Sequence, residues 1–303
     1  MTRCGAGILC LSLWAVLPLR AQPTFSVASY NVKNYLLESI PGRKAKPEAA
    51  RLKVQETLLH ACADVVVLQE MGKARAMREI QNSLGKAGLD YPYAHLMQGY
   101  DRAIRLGLLS RFPIGRMVQH TNDQFLVENT RQWVRRGFLE AEIEVSDSYR
   151  FTVIAAHLKS KFQVPFAREA EIRRKESVIL RRRIESRLME NPDLNLLVLG
   201  DLNDTPDSVP VRTIIGRGKM RLHDAKPHEW LFAGGEFVSE RPHVNWTYYF
   251  PAGGVYSRVD YVLLSRGMKR EWLPESSCVA ALPYWFEASD HRLLKIGFAE
   301  GDR

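Results

Sequence analysis

Cysteine is scarce in this chain. There are 4 in 303 residues, and two of them, Cys4 and Cys10, fall in the first ten positions. That excludes a disulfide-stapled scaffold and a zinc site built on thiolates. Cys62 and Cys278 remain, far apart and each in an apolar setting, so one disulfide and two buried thiols both fit the spacing. Long apolar runs are absent after the N-terminal segment, which excludes a multi-span membrane protein. No repeat, low-complexity tract or Pro/Ser-rich linker divides the remainder. Carboxylates are outnumbered, with Lys+Arg 43 against Asp+Glu 34 and a net charge of +9. A basic surplus suits a polyanionic partner such as nucleic acid or an anionic membrane, and is common among exported proteins too. With 46% hydrophobic and 25% charged residues the composition is that of a globular protein, not of a disordered or collagenous one.

The N-terminus carries Arg3, an apolar stretch over residues 5–19, and Leu19-Arg20-Ala21 before Gln22. About 15 apolar residues fall short of the roughly 20 that span a bilayer. This pattern predicts a secretory signal peptide over residues 1–21 and a secreted or periplasmic chain from residue 22 to 303. That remainder reads as a single domain.

Short, β-branched apolar runs recur at 25–30, 64–68, 106–109, 138–145, 151–156, 194–199, 259–264 and 293–296, each bounded by turn or polar residues. These read as strands. Helical patterns fall at 47–59, 74–87 and 165–190. Strands outnumber helices, and several connections are too short for a crossover helix, which favours a mixed α/β sheet system. The last helix is dense in arginine, from Arg168 to Arg187. It reads as a solvated face laced by pairs such as Glu169–Arg173 and Glu171–Lys175, ahead of a nucleic-acid-binding face.

One placement recurs: apolar strands end in residues suited to chemistry. SVASY ends in Asn31, VVVLQ in Glu70, FTVIAA in His157, and LNLLVLG in Asp201 with Asn203 two residues on. Arg258 and Asp260 flank the start of VDYVLLS, and Ser289-Asp290-His291 precedes the last strand. Strand ends gathered on one rim form a cleft. Glu70, Asp201, Asp260 and Asp290 are hard oxygen donors, which suit Mg²⁺, with Mn²⁺ a close substitute. His157 and His291 transfer protons near neutral pH, and Asn31 and Asn203 add amide groups without charge. Metal ligands, acid–base histidines and amide donors together suit hydrolysis of phosphate esters.

SYNV, LQE, GDLND, SRVDYVLLS and SDH, in that order over residues 24–298, resemble the endonuclease/exonuclease/phosphatase superfamily. The resemblance implies a four-layer α/β/β/α sandwich of two mixed β-sheets flanked by helices. It implies Glu70 as principal metal ligand, with Asp290 and Asn31 completing the metal and phosphate environment. Asp201 and Asn203 position or activate water, and Asp260 orients His291, which contacts phosphate or acts as base. His157 matches the second catalytic histidine of the deoxyribonuclease I-like branch, the acid for the leaving oxygen. Arg136 resembles that branch's phosphate-binding arginine. Lys33 stands where AP endonucleases carry an acidic metal-site residue, so a second metal is disfavoured and Lys33 is assigned to phosphate. Trp246-Thr247-Tyr248 falls where AP endonucleases place aromatics beside the substrate; base stacking and packing under a loop weigh equally for Trp246.

The expected function is a secreted, Mg²⁺-dependent phosphodiesterase acting on DNA or RNA, with no protein partner required and a monomeric state. A sphingomyelinase-like or inositol-phosphate-type phosphoesterase is the alternative, with the apolar run 282–286 as its membrane-docking candidate. A non-catalytic binding module is the third reading.

Overall fold

The computed structural model describes residues 24–161, 169–241 and 244–301. The expected leader at 1–21 and the opening of the arginine-rich helix at 165–168 lie outside the described residues. The chain begins with β1 (Thr24–Tyr35), α1 (Glu48–Ala61), β2 (Val65–Met71) and α2 (Ala74–Lys86). It continues through β3 (Tyr93–Met97), β4 (Arg105–Ser110), β5 (Ile114–His120), the hairpin β6 (Gln124–Val127) and β7 (Thr130–Trp133), β8 (Phe138–Glu144) and β9 (Arg150–His157). Next come α3 (Glu169–Glu190), β10 (Leu196–Asp201), α4 (Val209–Ile215), β11 (His223–Asp224), β12 (His228–Ala233) and β13 (Glu236–Arg241). The hairpin β14 (Tyr248–Phe250) and β15 (Val255–Ser257), β16 (Asp260–Leu264), α5 (Arg266–Glu271), β17 (Trp272–Ala281), α6 (Trp285–Ala288) and β18 (Leu294–Ala299) complete it.

Two mixed sheets dominate. One has the order β13-β12-β17-β18-β1-β2-β4-β3, the other β11-β16-β10-β9-β8-β5. The side-chain alternation of strands explains why there are four layers. In β1 and β2, Phe25, Val27, Val65 and Val67 turn toward the second sheet and meet Phe151, Val153, Leu197, Leu199 and Val262. The intervening residues Ala28, Tyr30, Val66 and Leu68 turn outward and bury Val54 and Leu58 of α1 and Met77 and Ile80 of α2. The second sheet repeats the pattern: Ile154, Ala156, Leu196 and Val198 face Leu180, Ile184 and Leu188 of α3 and Val211 of α4. The central strands β1, β2, β9, β10 and β16 are buried on both faces, so the sequence of each is a largely continuous apolar run. This is the expected α/β/β/α sandwich.

α3 differs from the expected solvated helix. Its charged residues do not all face water: Arg173 turns inward to Asp204, 2.9 Å away, and Arg181 is buried and donates to the carbonyls of Ile214, Ile215 and Met220. Glu171–Lys175 is retained as a 3.9 Å surface pair. The two cysteines are free thiols, Cys278 buried and Cys62 exposed, so neither the disulfide nor the pair of buried thiols is formed.

Gly200 sets how closely β9 and β10 approach. Its φ is +135°, and a Cβ there would sit 1.9 Å from the Ala156 carbonyl oxygen. Since Gly200 and Ala156 are register partners one step before Asp201 and His157, the contact also fixes the site. Gly200→Ala is expected to destabilise the fold by about 3 kcal/mol or more, from left-handed strain and backbone overlap together. Chemical denaturation checks this; an unchanged midpoint contradicts it.

Candidate active site

Two parallel strand pairs deliver the polar groups to one rim. In the first sheet β1 and β2 run parallel, with Asn31 paired to Gln69 just before Glu70. In the second, β9 and β10 run parallel with Asp201 opposite His157, and antiparallel β16 places Asp260 opposite Asp201 on its other side. The register of β1 and β2 then breaks between Asn31 and Tyr35. Lys33, Asn34 and Glu70 all take positive φ there, at 45°, 50° and 64°. Non-glycine residues adopt this region at a cost, and such clusters occur where backbone groups are aimed at a site. Here the Asn34 N–H donates to Glu70 Oε2 at 2.9 Å and the Lys33 N–H to Asn31 Oδ1 at 3.0 Å. The bulge thus holds both side chains in place.

The two sheets meet through side chains. Asn31 Nδ2 donates to Asp201 Oδ2 at 2.9 Å and lies 3.5 Å from Glu70 Oε1. Asp201 Oδ1 accepts the N–H of Asn203 at 2.8 Å. Asn203 itself has φ +55°, and its amide donates to the Leu158 carbonyl at 3.0 Å. His291 Nδ1 donates to Asp260 Oδ2 at 2.9 Å, while its Nε2 faces Asp201 Oδ2 at 3.9 Å. His157 Nε2 lies 3.5 Å from Asp201 Oδ2 and 4.0 Å from Glu70 Oε1. Its buried Nδ1 has no hydrogen-bond partner among the described residues.

Burial and charge separate the two histidines. Burial works against a charged His291, but Asp260 and Asp201 outweigh it and push its pKa up to about 10. Burial holds His157 well below the usual range, and the positive charges of Arg136 and His291 add to that. His291 is therefore cationic at neutral pH and His157 neutral. Asp201 is pushed up by burial and by the neighbouring Asp260.

The remaining residues singled out from sequence divide. Asp290 joins the rim, with Lys33 Nζ 3.3 Å from its Oδ2. Arg136 is buried beneath the rim, where it donates to the Leu158 carbonyl at 3.4 Å, the same oxygen that holds Asn203. The Trp246 ring packs among other side chains. The Arg292 guanidinium covers its ring at 3.4 Å, and Tyr256 and Trp285 pack against it at 4.6 and 5.1 Å. Arg258 is turned away into a two-point pair with Asp224.

Several site residues carried no sequence signal. Ser289 Oγ donates to the Asn31 carbonyl at 2.8 Å and accepts the His291 N–H at 3.1 Å, tying the last strand to the first. Thr247 Oγ1 accepts the N–H groups of Val259 and Asp260, each at 3.1 Å. Buried Glu176 on α3 accepts the N–H groups of Arg135 and Lys159, joining the segment of Arg136 to that of His157. Lys46 is buried beside the bulge, donating to the Lys33 carbonyl at 3.3 Å, and burial lowers its pKa to about 8. The SDH motif hinted at Ser289, and Thr247 lies within Trp246-Thr247-Tyr248, though only the aromatic residues drew attention there; Glu176 and Lys46 are remote in sequence from every motif.

The fold and the rim together define a phosphoester-hydrolase architecture, and comparison with known proteins is consistent with it. Residues 28–291 match the Endonuclease/Exonuclease/phosphatase family, and the chain belongs to that family. No curated protein sequence matches the chain. Among solved structures, sphingomyelinase C from Streptomyces griseocarneus is 16% identical with a TM-score of 0.63, covering 91% of this chain and 99% of its own. The human Nocturnin catalytic domain is 16% identical, with a TM-score of 0.61 over 92% of this chain and 96% of its own. An endonuclease/exonuclease/phosphatase from Bacteroides vulgatus is 13% identical, with a TM-score of 0.63 over 92% and 100%. At these identities the likeness is one of fold.

The paired charge of Asp260 and His291 is testable without substrate. In Asp260→Asn the His291 imidazole is expected to titrate near neutral pH, against about 10 in the parent, because the largest favourable charge is removed. Imidazole NMR titration reads this directly; an unaltered His291 contradicts it.

Proposed function

We propose that this chain is a metal-dependent phosphodiesterase that hydrolyses nucleic acid. The observation that carries the reading is a rim where a cationic histidine, a neutral histidine and a cluster of carboxylates converge, with Lys33 against Asp290, Arg43 against Glu70, Lys46 on the Lys33 carbonyl and Lys159 near His157. Carboxylates alone repel a phosphate diester; the surrounding cations invert that balance and favour a polyanionic substrate.

The family's chemistry calls for a divalent cation, and two donor sets compete for it. Asp201, Asp260 and His291 offer ligand atoms within 4.8 Å of one another. Yet His291 Nδ1 is already bonded to Asp260, and a histidine that holds its proton is a poor ligand. Glu70 and Asp290, with side chains each 17% exposed, have oxygens open to the rim and already draw Arg43 and Lys33. We assign the cation to Glu70, Asp290 and Asn31, with Mg²⁺ or Mn²⁺ as the hard ion suited to oxygen donors. When bound it offsets the charge of the phosphate oxygens.

The protein groups then divide the work. His291, held by Asp260, donates to a phosphate oxygen. Asp201, whose affinity for a proton is raised, takes one from the attacking water, and Asn203 holds the loop that aims it. His157 is neutral at rest. A phosphate anion beside it raises its pKa, so that it gains a proton and passes it to the leaving oxygen. Buried Arg136 opposes that charge until the anion arrives. The expected leader peptide places the activity outside the cytoplasm, as an exported enzyme.

One observation favours a lipid substrate instead. Phe250, Val255, Tyr256 and Phe286 are about half exposed and form an apolar edge next to Asp290, with Tyr249 N–H bonded to the Asp290 carbonyl. Hydrolysis assays with Mg²⁺ on DNA, RNA, sphingomyelin and inositol phosphates separate the readings. Turnover of DNA or RNA that stops in excess EDTA is expected; turnover of sphingomyelin alone replaces the nuclease reading with the lipid one. His157→Ala is expected to lower the rate on nucleic acid about 10²-fold or more. The loss should shrink on a nitrophenyl phosphodiester, whose leaving group needs no proton, and an equal loss on both substrates removes the acid role.

A further inference from the structure

Away from the rim, the far end of the second sheet carries a concentrated positive surface. A cleft of about 980 Å³ is lined by residues of α3, α4 and the turn that follows, including Arg212, Arg217 and Arg221. A second cleft of about 540 Å³ adjoins it, sharing Ile215, Gly218 and Arg221, and adds Lys219, Arg266 and Lys269. All six cations are exposed, and none has a carboxylate oxygen within 4.0 Å among the described residues. The acidic residues that line the clefts are already engaged: Glu185 by Arg181 at 2.8 Å and Asp224 by Arg258 at 2.6 Å. This differs from the helix surfaces of α1 and α3, where Lys53–Glu56 and Arg174–Glu171 pair charge with charge. Like charges held together without counter-charge oppose folding, so an anionic partner stabilises the arrangement.

The scaffold beneath is built. Arg181 reaches under Gly216 to the carbonyls of Ile214, Ile215 and Met220, and a Cβ at Gly216 would lie 2.3 Å from its guanidinium. The turn that presents Arg217, Lys219 and Arg221 is therefore clamped from inside.

Its position relates to the rim. β16 starts at Asp260 in the site and ends at Leu264 beside Arg266, a run of about 13 Å at strand rise. α4 starts shortly after Asn203 and ends beside Arg217, about 10 Å on at helical rise. A flexible chain leaving the rim along α4 reaches the positive clefts. A flat bilayer lying on the same clefts would hold the rim away from its lipids.

We propose that Arg212, Arg217, Arg221, Lys219, Arg266 and Lys269 form a second binding surface for the phosphate backbone of single-stranded nucleic acid, gripping the strand at a distance from the bond being cut. The proposal rests on the nuclease reading for its substrate and deepens it. It implies that long strands bind better than short ones.

The test is binding of fluorescent single-stranded oligonucleotides in EDTA, read by anisotropy over a range of salt, with Arg212, Arg217 and Arg221 changed together to Ala. Three lost phosphate contacts at about 0.7 log per contact lower the salt slope by about two and weaken binding of a 30-mer about 50-fold near 0.15 M salt. A dinucleotide should be affected less than about twofold, since its single bridging phosphate cannot make the three contacts at once. A second variant, Lys219→Gln with Lys269→Gln, should move both quantities in the same direction by less, which guards against a misfolded triple variant. Unchanged affinity and slope for the 30-mer overturn the proposal. So does loss of binding to phosphatidylglycerol vesicles with oligonucleotide binding intact, which makes the partner a membrane. The two readings fail separately: a parent that binds the 30-mer through this surface but cleaves only lipid keeps the surface and loses the nuclease reading.

Discussion

The hydrogen bond from Asn31 to Asp201 is the contact on which the site depends. It joins residues 170 apart in sequence and connects the ends of two sheets whose shared interior is apolar, with His291–Asp260 and His157–Glu70 beside it on the rim. Apolar packing is non-directional and leaves sheets free to slide by small amounts. A buried bond between an amide and a carboxylate has a fixed length and direction, and leaving either group unpaired there is costly. Around it the other fixtures gather: Ser289 holds the Asn31 carbonyl, the bulge at Lys33 and Asn34 holds the Asn31 and Glu70 side chains, and Asn203 holds Asp201.

Electrostatics add a second constraint. Asp201 and Asp260 are both buried, and two like charges side by side in a low-dielectric interior are unfavourable. His291, in contact with Asp260 and near Asp201, supplies the counter-charge. Its high proton affinity is thus the reverse side of carboxylate stability, while burial first, and then the charges of Arg136 and His291, keep His157 neutral. A buried network of this kind is specified tightly when every member is satisfied. Among the described residues His157 Nδ1, Arg136 Nε and Asp260 Oδ1 are the site's buried atoms without a hydrogen-bond partner, and His157 is the group with a reason to change partner.

Arginine content alone misleads about where charge acts. α3 holds the densest run, yet Arg173 and Arg181 are spent on fastening the Asp204 loop and the turn after α4. A group of exposed cations without a counter-charge within 4.0 Å gathers instead on α4, the following turn and α5, which the sequence leaves as separate short segments. Burial and pairing, both set by tertiary contacts, decide which positive charges face solvent.

The layered fold was legible because its central strands are buried on both faces and so form continuous β-branched runs. The runs at 25–30, 64–68, 151–156, 194–199 and 259–264 became the core strands, and the polar residues that follow the first four, with Asp260 at the start of the antiparallel fifth, became rim groups. Strands at or next to a sheet edge, such as β3, β5 and β12, carry no clear signal because a half-exposed strand mixes polar and apolar residues. Local pattern therefore determined which residues end strands, and by that route which of them could do chemistry. It could not determine that Trp246 is covered by Arg292, that Arg136 is buried, or that Lys46 lies beside the bulge. Those facts rest on contacts between segments distant along the chain, and the opposite charge states of two histidines on one rim arise only when burial and neighbouring charges are brought together by folding.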